Sequence, residues 1–236
     1  MIDPQKETLT SLQIDRDTMA EITILSILGN PAGTRKAQIC LSHSFGDGGE
    51  QSSIFTVDAV SKHLYGIDID FFVAMSLTGI PTLNEMLGGV TVMLEDDFTA
   101  LDPGMRVGET ITLQGKQAEY YVRSRMGIGE GTAASRMVRQ KDYLNKAGVL
   151  IDEKLHDNVN FIGTLFDGLK SDLTTDMSRG RMINEANASR NYSRTDTISP
   201  IGEHSLGDNG FVEFHADEHA LEELVLDVFF EQVTTS

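Results

Sequence analysis

Residues 120–140 carry the densest chemistry in the chain: Tyr-Tyr-Val-Arg-Ser-Arg-Met-Gly-Ile-Gly-Glu-Gly-Thr-Ala-Ala-Ser-Arg-Met-Val-Arg-Gln. Four arginines (Arg123, Arg125, Arg136 and Arg139) fall inside it, in a protein of formal net charge −17. A planar guanidinium fork suits the oxygens of a phosphate. The two-residue spacing of Arg123 and Arg125 places both on one face of a strand. Gly127, Gly129 and Gly131 permit a tight loop with positive φ where needed. Thr132 or Ser135 then caps a new helix. On that helix Arg136, Arg139, Gln140 and Tyr143 recur at i, i+3, i+4 and i+7, which makes one stripe. A strand and a helix start so arranged aim four guanidiniums and an amide at one multiply charged oxyanion, beside free helix N–H groups. The bland alternative is an exposed loop whose arginines pair with surface carboxylates.

The elements that must position this stretch read as alternating strands and helices, a layered α/β or α+β pattern. Met1–Lys6 is a turn and Glu7–Ile14 a strand, ending at Asp15-Arg16-Asp17-Thr18. Arg16 between two carboxylates is either a salt-bridged corner or a fifth ligand for the same anion. Ala37–Phe45 reads as a short helix and Glu50–Tyr65 as a longer one with Gly66 its C-cap. Ile67–Leu77 reads as a central strand, Ile80–Leu87 as a helix stopped by Gly88-Gly89, and Val90–Leu94 and Thr110–Leu113 as strands. Glu95, Asp96, Asp97 and Asp102 form an acidic patch, either a solvated loop or an oxygen-ligand cation site. Helices are expected over Lys141–Leu155, Val159–Leu169, Met177–Ala186 and Ala216–Phe230. Residues 187–210 read as a polar loop or flap, and Phe211–Phe214 as a strand.

At 236 residues the chain has ample length for a core. No apolar run approaches the roughly 18 residues that span a bilayer, and no signal-peptide pattern opens it, so the chain as written reads as soluble. Cys40 is the single cysteine, which excludes an internal disulfide. The acidic balance argues against nucleic acid as a partner. His215-Ala216-Asp217-Glu218-His219 fits the spacing of an inverted zincin motif. Asp217, however, reads as a helix N-cap, which leaves His215 outside the helix and the motif without its one-turn pair. No metal ligand is assigned, and nucleophilic catalysis finds no support.

The arginine stretch and its neighbours resemble the LytR-CpsA-Psr family of cell-envelope enzymes. The likeness is collinear over about residues 2–150 and weaker over 150–236. Ile2-Asp3-Pro4 and Gln13-Ile14-Asp15-Arg16-Asp17-Thr18 are similar to the family's opening turn and its Pro-Arg-Asp-Thr corner. Ser42-His43-Ser44-Phe45 with Gly48-Gly49, Gly66-Ile67-Asp68-Ile69-Asp70-Phe71-Phe72-Val73 and Leu87-Gly88-Gly89-Val90 follow in the family's order. Leu113-Gln114-Gly115-Lys116-Gln117-Ala118, Tyr121-Val122-Arg123-Ser124-Arg125 and Arg136-Met137-Val138-Arg139-Gln140 complete it.

The resemblance implies one domain over 1–236, of α/β class, with a central mixed sheet and helices on both faces. It implies a polyprenyl pyrophosphate lipid bound tail-first in an apolar channel, and transfer of its glycopolymer to peptidoglycan. That chemistry belongs at the extracytoplasmic face of the bacterial cell membrane. By matched position Arg16, Arg123, Arg125, Arg136 and Gln140 become the catalytic pyrophosphate ligands, with Arg139 and Asp17 as substrate-binding neighbours. Mg²⁺ is the implied cofactor. The family's metal-binding aspartate and membrane helix fall upstream of the position matching Ile2. Asp15 stands where the family has proline. Ala133 stands where it often has aspartate, with Glu130 a possible stand-in. The expectation is a ligand-binding core. The rival readings are a non-catalytic binder of an anionic lipid or polymer, and the metallohydrolase.

Overall fold

The computed structural model describes residues 1–230. In chain order the elements are β1 (Ile2–Asp3), β2 (Thr8–Leu9), β3 (Met19–Leu25), β4 (Pro31–Gln38), α1 (Leu41–Ser44), α2 (Glu50–His63), β5 (Val73–Met75), α3 (Gly79–Leu87), β6 (Thr91–Met93), β7 (Thr110–Thr112), α4 (Lys116–Arg123), α5 (Ala133–Asp157), α6 (Phe161–Leu169), β8 (Leu173–Thr175), α7 (Arg179–Ala188), β9 (Ser193–Arg194), β10 (Gly202–Leu206), β11 (Val212–Ala216) and α8 (Glu218–Phe229). The class is mixed α/β, as the alternation of patterns implies. Its strands pair in short two- and three-stranded ladders, where a single central mixed sheet was expected. Among the described residues no helix is long and apolar enough to cross a membrane.

Two compact units form. The first takes Met1–Ser11, Ala74–Leu173 and Met177–Thr197. Its core gathers Val90, Val92, Leu94, Phe98, Met105 and Leu113, all fully buried, with Tyr121, Ile128, Tyr143 and Ala147. β6 and β7 pair antiparallel with Thr91 opposite Thr112. α3 stops where Gly88 turns left-handed at φ 89° and donates to Glu85 O, the stop read from Gly88-Gly89. α6 and α7 close a second cluster around Leu155, Ile162 and Leu165. β1 pairs antiparallel with β2, and β2 pairs parallel with β9, a strand inside the expected 187–210 loop.

The second unit takes Leu12–Val73, Thr174–Asp176 and the described residues from Ile198 onward. β3 and β4 form a hairpin with Ala20 opposite Ala37, and α2 lays Ala59 onto Ile22. The expected helix over Ala37–Phe45 is shortened at its start, where Ala37 and Gln38 still belong to β4 and the next two residues turn. Ala37 and Ile39 face the core alternately, and only Leu41–Ser44 turns helical. The expected central strand Ile67–Leu77 shrinks to Val73–Met75. Asp68 and Asp70 are exposed and Val73 is half exposed, so this segment lies at a surface. β10 (again inside the expected loop) pairs with β11. α8 buries Leu221 and Val225 against Leu64, and Asp217 caps it by accepting from Ala220 N at 2.9 Å.

Candidate functional site

α4 forms because Ala118, Tyr121 and Val122 stand at i, i+3 and i+4, all buried in the first unit's core. That period overrides the two-residue spacing of Arg123 and Arg125. Arg123 is the last residue of a helix and Arg125 lies in the following loop, where a strand was expected. Arg123 is exposed and its Nη1 donates to Glu119 Oε1 one turn back at 2.9 Å. Arg125 is exposed.

The loop over 124–132 is pinned by Ile128, which is 1% exposed. Ile128 N donates to Arg125 O, and Gly131 N to Ile128 O. Gly127, Gly129 and Gly131 all take positive φ, as the sequence anticipates. Thr132 is the N-cap of α5, accepting from Ser135 N at 3.1 Å, so the open choice of cap falls to Thr132. A Cβ on Gly129 would overlap the carboxylate of Asp96, whereas one on Gly127 meets nothing within 4 Å. Gly127→Ala is expected to cost about 1 kcal/mol through backbone strain, and Gly129→Ala about 2–3 kcal/mol. Denaturant unfolding of the two variants measures the difference, and equal losses would deny Asp96 its packed position.

Arg139 is 5% exposed, and all three guanidinium nitrogens are committed within the protein. Nε donates to Tyr121 O at 3.0 Å, Nη1 to Asp96 Oδ2 at 2.6 Å, and Nη2 to Ser124 O. Its Cζ lies 5.4 Å from the Phe98 ring centroid. Gln140 Nε2 donates to Val122 O at 3.0 Å. Together these side chains donate to the carbonyls of Tyr121, Val122 and Ser124 at the C-terminal end of α4. Three of the five N–H groups of the Arg139 guanidinium are thus engaged from inside, and its partner Asp96 belongs to the acidic patch over 95–102. Gln140 holds the end of α4. Arg136 sits half-buried one turn nearer the start of α5. The junction of α4 and α5 thus brings Arg123, Arg125 and Arg136 to one segment of the first unit, on a backbone locked from inside.

Neighbouring carboxylates are engaged. Asp142 accepts from Tyr121 Oη at 3.0 Å and pairs with Lys146 at 2.8 Å. Burial first, then Asp142, pushes the Tyr121 phenol well above its ordinary range, so it stays a neutral donor. Asp102 accepts from Gln117 Nε2 and Gly104 N, which holds it below the usual carboxylate range, and Asp97 is lowered by Thr99. Among the described residues no group of three or more His, Cys, Asp and Glu could hold a metal ion.

Arg16 belongs to the second unit. Its Nε lies 3.3 Å from Asp17 Oδ1, and its Nη2 donates to Cys40 Sγ at 3.3 Å. That contact, ahead of the nearby aspartates, raises its pKa. Asp15, 5% exposed, accepts from Asp17 N and lies 2.8 Å from His204 Nε2, so the corner is braced. His204 carried no signal in the sequence, since its partner lies 189 positions away. The zincin-like histidines are separated. His215 lies on β11 beside Glu213, while His219 is exposed on α8 beside Glu223.

The model of the LytR_cpsA_psr family matches residues 1–226. The polyisoprenyl-teichoic acid–peptidoglycan teichoic acid transferase TagU of Bacillus subtilis is 25% identical over 230 residues, covering 96% of this chain and 68% of that protein. The crystal structure of B. subtilis TagV superposes with a TM-score of 0.73 at 25% identity, covering 96% of this chain and 84% of that one. The structure of TagT bound to LI-WTA superposes at 0.71 and 20% identity, covering 96% and 79%.

Proposed function

The chain belongs to the LytR_cpsA_psr family, and on that premise we propose that it binds a polyprenyl pyrophosphate-linked glycopolymer and transfers the polymer to peptidoglycan. The observation that carries this reading is the α4–α5 junction. Three arginines stand on a segment whose own backbone needs are met by Arg139 and Gln140. The teichoic acid transfer named for the B. subtilis relative calls for such a segment.

In the transfer a peptidoglycan hydroxyl attacks the phosphorus that bears the polymer. A new P–O bond forms, and the bond to the bridging oxygen breaks. Polyprenyl phosphate leaves with the electron pair, and the hydroxyl proton passes to solvent. Such a reaction asks the protein chiefly for alignment and charge neutralisation. Arg123, Arg125 and Arg136 supply the charge. Bound magnesium would supply Lewis-acid stabilisation of the charge on the leaving phosphate. The site of action is the extracytoplasmic face of the bacterial cell membrane. In a second reading the chain binds the carrier without turning it over, since Asp96, the acid packed under the junction, is spent on Arg139.

Titration with a short-chain polyprenyl pyrophosphate tests binding. Arg123→Ala, Arg125→Ala and Arg136→Ala are each expected to weaken it about tenfold, with the melting temperature unchanged. No binding by the wild type, or full affinity in the triple variant, would remove both readings. Binding without release of polyprenyl phosphate in the presence of peptidoglycan and Mg²⁺ would leave the second.

A further inference from the structure

The β3–β4 hairpin ends in an apolar tip with nothing from the described residues upon it. Ile27 has a relative exposure of 105% and Leu28 of 86%. The tip is an ordered loop: Ser26 N donates to Asn30 O at 2.8 Å, Gly29 N to Ser26 O at 2.9 Å, and Gly29 takes φ 77°. Two aliphatic side chains are thus held in water by the turn that carries them. Residues 22–34 contain no charged side chain, in a protein of net charge −17. The next two residues, Arg35 and Lys36, are both cationic and exposed.

We propose that this hairpin dips into an anionic lipid surface, Ile27 and Leu28 entering the acyl boundary while Arg35 and Lys36 meet the headgroup phosphates. The dimensions agree. From Pro31 to Arg35 the strand rises about 13 Å at roughly 3.3 Å per residue. An interfacial apolar segment sinks about 5–10 Å. Swung off the Phe45 ring, the exposed Arg35 side chain covers the remainder and stays at headgroup level. Two carboxylates sit at the hairpin's base. Glu21 stands opposite Lys36 and accepts from Thr34 Oγ1 at 2.7 Å, and Asp58 accepts from Thr23 Oγ1 at 3.0 Å, while Arg35 lies 5.5 Å over the Phe45 ring. The rest of the negative charge is screened beyond about 10 Å at 0.1 M salt. A protein partner fits this tip poorly. Stable interfaces bury about 1,200 Å² or more in total, which two aliphatic side chains on a turn do not supply.

The chain contains no tryptophan, so Leu28→Trp places a single fluorophore at the tip. The probes are phosphatidylcholine vesicles with and without phosphatidylglycerol, in 0.1 M NaCl, free of any polyprenyl carrier, so the outcome is independent of the transfer reading. The wild type is expected to co-sediment with the anionic vesicles. Ile27→Ser/Leu28→Ser should lower that partition about tenfold or more. Arg35→Gln/Lys36→Gln should remove the preference for anionic over neutral lipid, and the Leu28→Trp emission should shift to the blue on vesicle addition. Absent wild-type binding, undiminished binding by the serine pair, or an unshifted emission would overturn the inference. So would concentration-dependent dimerisation lost in the serine pair, which would make the tip a contact between copies of this chain.

Discussion

Arg139→Leu is expected to lower stability by about 3–4 kcal/mol. The substitution keeps the volume near Phe98 and removes every donor. Tyr121 O and Ser124 O lose their partner at the end of α4, and Asp96 loses its cation. Removing one member of a buried pair costs about 3–5 kcal/mol. The lower part of that range applies, because the Asp96 side chain is 21% exposed and can recover some hydration. For a chain of this length the melting temperature should fall by roughly 6–16 °C. Arg139→Leu in an Asp96→Asn background should cost less than in the wild type, since the uncompensated charge is gone. This separates Arg139 from its neighbours. Were Arg139 a ligand of pyrophosphate, its replacement would abolish binding and leave the melting temperature in place. That outcome would overturn its assignment as the residue that locks the junction.

The inward turn of Arg139 is not written in the local sequence. Helical period puts Arg136, Arg139, Gln140 and Tyr143 on one stripe, and the stripe is real. Period alone does not say which edge of a stripe turns inward. Tyr143 is 3% exposed and lies four residues after Arg139, so the core-facing edge runs through both, leaving Arg136 half-buried on the other side. Tyr143 taken as a core residue would have supplied that signal. Local chemistry was legible elsewhere. Gly88 stops α3, Thr132 and Asp217 cap their helices, and three loop glycines take positive φ, because each depends on residues within a few positions. Long-range pairing was not. Asp96 meets Arg139 across 43 positions and His204 meets Asp15 across 189, and neither leaves a local mark. The strand read over Ile67–Leu77 rests on the continuous run Phe71-Phe72-Val73 and shrinks to Val73–Met75, since an apolar run does not itself say where a partner strand pairs with it.

Asn84→Ala is expected to cost about 3–5 kcal/mol, the largest single effect of a polar residue outside the arginine stretch. Asn84 is 1% exposed on α3. Its Nδ2 donates to Leu113 O at 2.7 Å, and its Oδ1 accepts from Val90 N at 3.0 Å and from Tyr143 Oη at 3.4 Å. One amide therefore joins α3, the chain entering β6, the chain leaving β7, and α5. Leu113 and Val90 are fully buried, so alanine leaves a carbonyl and an amide with no water to turn to. Each orphaned group costs about 1–3 kcal/mol. Tyr143 keeps its proton throughout, because burial pushes its phenol up to about 12. Asn84→Asp sharpens the test through pH. Burial raises the pKa of the new carboxyl in the folded state above its unfolded value of about 3.9. Between those two values the folded state binds more protons than the unfolded, so stability falls as pH rises. Near pH 4 the protonated acid can still donate to Leu113 O. Above it, a carboxylate faces that carbonyl oxygen. Denaturant unfolding of Asn84→Asp against the wild type should therefore show a deficit that is small near pH 4 and grows toward pH 7. A deficit flat with pH would mean that water reaches the aspartate, and that this polar knot is not what joins the arginine-bearing helix to β6 and β7.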